Sequence, residues 1–209
     1  MNNILKRYLI LCLISLILNK ISNYILNFDQ LLHNSLSEQL TSKQIENFFE
    51  LQKKWNWINY PIIFLFLIIK TSIVSTIIYI GLFLSNKDLK FSTILNSVLK
   101  AEYIFLLVPV FKIIWFYFLQ TNYTFEDVQY FYPLSALNLI GYKNLETWFI
   151  YPFQTLNLFE LFYVIYLGFQ VGKLTNTNAD YGLKIVGLSY VPSLLLWVTT
   201  IMFFTLNYS

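Results

Sequence analysis

The stretch WFIYPFQTLNLFELFYVIYLGFQVGK, residues 148–173, decides the fold of this chain. An apolar segment of about 20 residues is long enough to cross the hydrocarbon core of a bilayer as a helix. Its one carboxylate, Glu160, lies near the middle. An unpaired ionised side chain at that depth costs about 2.5 to 3.5 kcal/mol or more. The stretch therefore predicts a membrane span with a buried acid that needs a partner.

The composition extends this interpretation to the whole chain. With 57% hydrophobic and 12% charged residues and a mean hydropathy of +0.57, the 209 residues are too apolar for an ordinary water-soluble domain. The net charge of +3 comes without a long basic run, which argues against nucleic acid as a partner. One cysteine, Cys12, and one histidine, His33, leave no set of ligands for a metal, and we expect no cofactor.

The hydropathy pattern predicts one all-α membrane domain, residues 1–209, built as a polytopic bundle of five transmembrane helices. The predicted spans are residues 5–26, 60–84, 101–119, 148–172 and 183–206. Two less apolar segments connect them. Residues 27–58 contain Thr41 and Gln44 at the spacing of a helix start and predict an amphipathic helix, either lying on the membrane or capping the bundle. Residues 120–147 predict an interfacial or re-entrant helix.

The distribution of basic residues predicts the orientation. If all five spans cross, short segments on the amino-terminal side carry most of the positive charge, which marks the cytoplasmic side. We expect a multi-pass protein of the cytoplasmic (inner) membrane, with its amino terminus inside and its carboxyl terminus outside. The basic residues on the predicted cytoplasmic side are Lys6, Arg7, Lys87, Lys90, Lys100, Lys173 and Lys184.

Three charged residues lie at overlapping depths in the predicted spans. At about 1.5 Å per helical residue, Lys70, Lys112 and Glu160 are each roughly 12 to 18 Å from the outer end of their spans. Together with Asn157 they form a predicted intramembrane polar cluster in which Glu160 pairs with one of the two lysines. Three interpretations stay open: a structural ion pair, a proton or ion relay, and a pocket for a lipid or small molecule.

Small residues predict where helices pack closely. Gly168 and Gly172 form a Gly-x-x-x-Gly pair on the face that carries Glu160. Ser72, Ser75 and Thr76 give the second span a small, polar side that could approach another helix.

Catalytic signatures are missing from the sequence. It contains no His-Glu-x-x-His, Gly-x-Ser-x-Gly or Gly-x-Gly-x-x-Gly motif and no pair of intramembrane aspartates. We therefore expect a protein that is not an enzyme.

Three strings resemble the Yip family of five-span membrane proteins. They are FSTILNSVLKAEYIFLLVPV (residues 91–110), YPLSALNLI (132–140) and LNLFELFYVIYLGFQVGKLTNTNADYGLKIVGLSYVP (156–192). The resemblance covers about two thirds of the chain and implies a bacterial Yip-like protein with a cytosolic amino terminus. It does not extend to the cytosolic amino-terminal region that eukaryotic members use for GTPase partners, which this chain lacks.

Two functional hypotheses follow. The first is a non-enzymatic organiser or adaptor of the cytoplasmic membrane, which contacts the lipid bilayer and a membrane-protein partner or a second copy of itself. The alternative is a small transporter or channel subunit that uses the Glu/Lys cluster.

Overall fold

The computed structural model describes residues 2–143 and 145–208, and within them the regular structure is helical, as predicted. Two 3₁₀ turns (Asn56–Ile58 and Glu102–Leu106) join neighbouring helices, and one π turn (Trp115–Leu119) extends the helix that precedes it. The α-helices of the described residues are α1 (Asn2–Ile25), α2 (Phe28–Ser37), α3 (Ser42–Trp55), α4 (Asn59–Leu84), α5 (Phe91–Ala101), α6 (Leu107–Ile114), α7 (Phe125–Tyr130), α8 (Leu137–Ile140), α9 (Thr147–Thr155), α10 (Leu158–Leu174) and α11 (Ala179–Tyr208).

Three helical runs in the described residues are long and apolar enough to cross a membrane. They are Ser42–Leu84, Phe91–Leu119 and Ala179–Tyr208. A fourth candidate is the pair Asn3–Ile25 and Phe28–Ser37, which meets the same requirement only as one span bent by 57°. The helices support a membrane protein, whereas the predicted count of five spans is not confirmed.

The predicted amphipathic segment 27–58 differs from the structure in its second half. Instead of forming a separate helix, α3 continues through a 3₁₀ turn into α4 as one run of 43 residues. Such a run is about 64 Å long, roughly twice the hydrocarbon thickness of a bilayer. Since the helix is never interrupted, a large part of it extends beyond the length that a membrane can cover.

The segment 120–147 also differs from the single interfacial or re-entrant helix predicted for it. The structure has two short helices there, α7 and α8, with irregular backbone between and after them. Asn144 lies outside the described residues. Pro133 and Gly141 account for the interruptions, because proline lacks an N–H donor and Gly141 adopts a positive φ of 81°.

The predicted fourth span, 148–172, is divided into two helices. α9 ends at Thr155 and α10 begins at Leu158, with Leu156 outside the helical region at ψ 83°. Asn157 causes the new start, because its side-chain oxygen accepts the N–H of Glu160 at 2.8 Å as an N-cap. Hydropathy could not reveal this break, since both helices are apolar.

The closest backbone approach at a glycine is between α10 and α11. A Cβ atom placed on Gly182 would lie 2.0 Å from the carbonyl oxygen of Gly168 and 2.5 Å from the nitrogen of Gly172. Only glycine fits at that distance, so the predicted pair of glycines meets a third glycine across the helix interface. We call these three residues the glycine seam.

The small polar residues predicted on α4 divide into two groups. Ser75 is fully buried, and its hydroxyl donates to the carbonyl oxygen of Thr71. Thr71 is also buried and exchanges a 2.6 Å hydrogen bond with the hydroxyl of Tyr8 on α1. Thr76 instead is exposed and donates to the carbonyl of Ser72 on its own helix, so it takes no part in this packing.

Candidate functional site

A groove with a volume of about 1150 Å³ opens between α4 and α11 and ends against α9 and α10. Apolar side chains such as Phe66, Ile73 and Leu196 form most of its walls. Lys70 and Glu160 are the charged side chains among the described residues that line it. Its polar and aromatic lining is completed by Ser15, Tyr132, Tyr151, Gln154, Thr155, Asn157, Tyr190, Ser193, Trp197 and Thr200.

Lys70 forms an ion pair with a carboxylate that the sequence analysis did not select. Its ammonium nitrogen lies 2.7 Å from Oε2 of Glu102, whose side chain is only 4% exposed. The other oxygen of Glu102 accepts a 2.9 Å hydrogen bond from the hydroxyl of Tyr163. The ammonium also lies 3.8 Å from the ring centre of Phe105, a distance at which the face of an aromatic ring attracts a cation. The charge of Lys70 is therefore already balanced.

Glu160 has a phenol as its partner instead of the expected lysine. The hydroxyl of Tyr190 donates to Oε1 of Glu160 at 2.5 Å. In the described part of the chain, the one ion pair is that between Lys70 and Glu102, so Glu160 forms no salt bridge with a lysine. Glu160 lies in the first turn of α10, where the helix start contributes a partial positive charge and no full charge.

Lys112, the second predicted partner of Glu160, bonds elsewhere. Its ammonium donates to the backbone carbonyl of Val128, in the last turn of α7. The final carbonyls of a helix have no partner within the helix, so this bond satisfies one of them. Lys112 thus ties the connecting segment to α6, and the structure does not place it among the groove residues.

Hydrogen bonds to a neighbouring loop satisfy the backbone at the break between α9 and α10. The carbonyl of Leu156 accepts from the N–H of Ala136 at 2.8 Å, and the N–H of Leu158 donates to the carbonyl of Leu134 at 3.2 Å. Asn157 pairs with Ser135 as an isolated β-bridge. Irregular backbone inside a membrane is tolerated where it is buried in protein or lines a cavity, and this break lines the groove.

The loop that carries Tyr132 is held by a side-chain network outside the predicted spans. Burial alone would raise the pKa of Asp127, but hydrogen bonds from the backbone N–H of Thr124 and the hydroxyl of Tyr142 hold it below its usual value. Burial, together with the hydrogen bond to Asp127, raises the pKa of Tyr142 to about 12. This network positions the segment from which Tyr132 reaches the groove.

Aromatic side chains form the wall near Glu160. Tyr190 also packs against Tyr163, with their ring centres 5.6 Å apart. Trp197, two turns after Tyr190 on α11, also lines the groove, and its indole N–H donates to the hydroxyl of Tyr151 at 2.9 Å. Tyr132 packs edge-on against Phe159 from the connecting loop. The inner end of the groove therefore combines one carboxylate with several ring faces.

Sequence reasoning missed Glu102 because the third span was predicted to begin at residue 101, which placed this acid at the membrane surface. In the structure the helical run Phe91–Leu119 begins earlier, and Glu102 lies well inside it. The amphipathic pattern of residues 91–100 could have indicated that the helix starts there. No comparable signal pointed to Tyr163 or Tyr190, because tyrosine is abundant in this chain.

Within the described residues, no group of three or more histidine, cysteine or acidic side chains could hold a metal ion. No protein-family model matches the chain, and no curated protein or solved structure is significantly similar to it. The resemblance to the Yip family drawn from the sequence stays a prediction.

Proposed function

We propose that this chain is a non-enzymatic, multi-pass membrane protein that binds a small molecule dissolved in the membrane, as a transporter subunit does. The observation that carries the proposal is the groove, whose long apolar walls lead to an inner end with Lys70 and Glu160. Ligand sites in proteins usually combine a mainly apolar cavity with a few converging polar groups. An amphiphilic molecule could place its apolar part along the walls and its polar group at the inner end.

The break between α9 and α10 supports this proposal. Broken helices whose half-helix ends point at a cavity are a recurring arrangement at the binding sites of membrane transporters. Here the start of α10 lies at the inner end of the groove, with Asn157 and Glu160 among the lining residues. A helix used only for packing gains nothing from such a break, because its backbone groups then need partners from a separate loop.

In this proposal the chain crosses the cytoplasmic membrane five times, with α9 and α10 together forming one broken span and the bent pair α1–α2 forming another. The amino terminus lies in the cytoplasm and the carboxyl terminus outside. The clustering of lysines on the predicted inner side supports this orientation.

Photolabelling tests the proposal. The protein is reconstituted in liposomes with a neutral fatty alcohol that carries a diazirine, and labelled peptides are mapped by mass spectrometry. We expect labelling of groove residues that an excess of unlabelled alcohol suppresses. Ser193→Trp, which fills the groove, should remove this saturable labelling, whereas Thr199→Trp on the same helix should keep it, because Thr199 is exposed and does not line the groove. Labelling that never saturates, or that is equal in both variants, would contradict the proposal.

A second candidate function is an organiser or adaptor, as the Yip-like resemblance implies. The observation that favours it is a row of exposed apolar side chains on α3: Phe48, Leu51 and Trp55 are 41%, 57% and 52% exposed. A photocrosslinking residue placed at Leu51, but not at Glu50 outside this row, should then give one discrete crosslinked product in native membranes. Equal, diffuse crosslinking at both positions would exclude a specific partner, whether another protein or a second copy of the chain.

A further inference from the structure

We propose that the groove is selective for a lipophilic monovalent cation, an apolar molecule carrying an ammonium or phosphonium-like charge, which is held at Glu160. This inference rests on the proposed function and specifies the chemistry of its ligand. Three observations carry it: the charge balance of the groove, the aromatic wall beside Glu160, and the way in which Lys70 is already neutralised.

When Glu160 is ionised, the charge balance leaves the inner end of the groove negative. Lys70 contributes one positive charge and Glu102, its partner at 2.7 Å, one negative charge, so the pair is neutral. In its ionised form Glu160 adds a second negative charge, and its partner Tyr190 is a neutral phenol. An ionised carboxylate in an apolar environment is strongly favoured to acquire a positive partner. A ligand with one positive charge would make the groove neutral.

The aromatic rings that line the groove suit an organic cation better than a metal ion. Tyr132, Tyr151, Tyr190 and Trp197 all line the groove, and Trp197 is 55% exposed, so much of its indole surface is free for contact. Aromatic faces attract ammonium groups electrostatically, most strongly when water is excluded, and they are the usual partners of quaternary ammonium ligands. In contrast, the described residues offer no group of three acidic, histidine or cysteine side chains that could hold a metal ion.

An anionic ligand fits less well, although Lys70 also lines the groove. The ammonium of Lys70 already donates to Glu102 and faces the rings of Phe105 and Tyr163 at 3.8 and 5.6 Å. An anion at Lys70 would compete with a buried carboxylate and add a third negative charge beside Glu160. The same electrostatics that favours a cation at the inner end therefore repels an anion.

Two ions of nearly the same shape and opposite charge provide the test. Equilibrium dialysis of the purified full-length protein in a non-ionic detergent would compare tetraphenylphosphonium with tetraphenylborate, with protein-free micelles as the blank. We expect saturable binding of tetraphenylphosphonium by the wild-type protein and no saturable binding of tetraphenylborate. Because the two ions share four phenyl groups, equal saturable binding would mean that the groove recognises apolar shape alone, and it would overturn the proposal.

Variants locate the bound cation. Glu160→Gln should weaken tetraphenylphosphonium binding by about tenfold or more, and Glu160→Asp should recover most of the affinity, because it restores the charge. Trp197→Leu should weaken tetraphenylphosphonium binding by roughly fivefold, because a ring face is lost. Trp197 is exposed, so we expect this substitution to affect folding little. Glu46→Gln is the matched control, since Glu46 is an exposed carboxylate on α3 away from the groove, and binding should not change.

The outcomes separate this inference from the proposed function. If the neutral alcohol labels the groove saturably but tetraphenylphosphonium does not bind, the cation proposal fails and the proposed function stands. If neither probe binds, both fail. Unchanged affinity in Glu160→Gln and in Trp197→Leu would also overturn the cation proposal, and if Glu160→Gln does not fold, Trp197→Leu and the wild-type comparison of the two ions decide.

Discussion

The two halves of α10 differ in how tightly they are packed. The second half carries Gly168 and Gly172, which approach Gly182 so closely that no side chain fits between the helices. The first half carries Glu160, which faces a groove and has one phenol as its partner. A fully packed interface has no free group that could bind a ligand. A carboxylate beside a cavity, with a partner for only one of its oxygens, has such a group. In the proposed function, the second half of α10 holds the helix against α11 and the first half contributes Glu160 to the binding site.

The same contrast separates the two acids near the groove. Both oxygens of Glu102 have close partners, Lys70 and Tyr163, and its side chain is buried. Glu160 has a partner at one oxygen and is only partly buried. We therefore expect stability to depend on Glu102 and ligand binding to depend on Glu160.

The glycine seam should give the largest effect on stability. Gly182→Ala places a Cβ atom against the backbone of Gly168 and Gly172, which a side-chain rotation cannot relieve. We expect the free energy of unfolding in detergent micelles to fall by about 3 kcal/mol, the upper end of the usual cost of overpacking. Unfolding by heat or denaturant, monitored by circular dichroism, measures this loss of stability.

Gly187→Ala is the matched control on the same helix, because no atom lies within 4 Å of a Cβ added there. Alanine is the better helix former, so this variant should be as stable as the wild type or more stable by up to about 1 kcal/mol. Equal losses for the two glycines would show that close approach is not what holds α10 against α11.

Glu102→Gln should give the next largest effect. The substitution leaves the ammonium of Lys70 without a carboxylate, and breaking a buried ion pair usually costs about 3 to 5 kcal/mol. Because the side chain of Lys70 is 44% exposed, solvent screens part of this loss, and we expect about 2 kcal/mol. Adding Lys70→Met to the same protein should recover part of the stability; if it does not, the two residues are not coupled.

Glu160→Gln should give the smallest effect on stability. Glutamine can still accept the hydrogen bond from Tyr190, and no cation loses its partner. We expect a change within about 0.5 kcal/mol, measured in the same unfolding experiment. A loss as large as that of Glu102→Gln would mean that Glu160 is a structural residue and would contradict the contrast between the two acids.

The sequence by itself determined that the chain is helical and suited to a membrane. Long apolar runs can satisfy their backbone groups in lipid only as helices or closed barrels, and hydropathy alone identifies such runs. The sequence also placed Gly168 and Gly172 on one helix face, because residues four apart lie above one another. Because Lys70 and Glu160 lie within apolar runs, the sequence also identified them as charges that need partners.

Only the tertiary structure decided which partners these charges have and where the fourth predicted span breaks. Lys70 pairs with Glu102, 32 positions away, and Glu160 with Tyr190, 30 positions away. Such pairs depend on the rotation and axial shift of whole helices, which packing determines and local periodicity does not. The break at Leu156 and Asn157 likewise depends on backbone hydrogen bonds from residues 134–136, a loop that only folding brings there. The groove, and with it the candidate site, results from these long-range contacts.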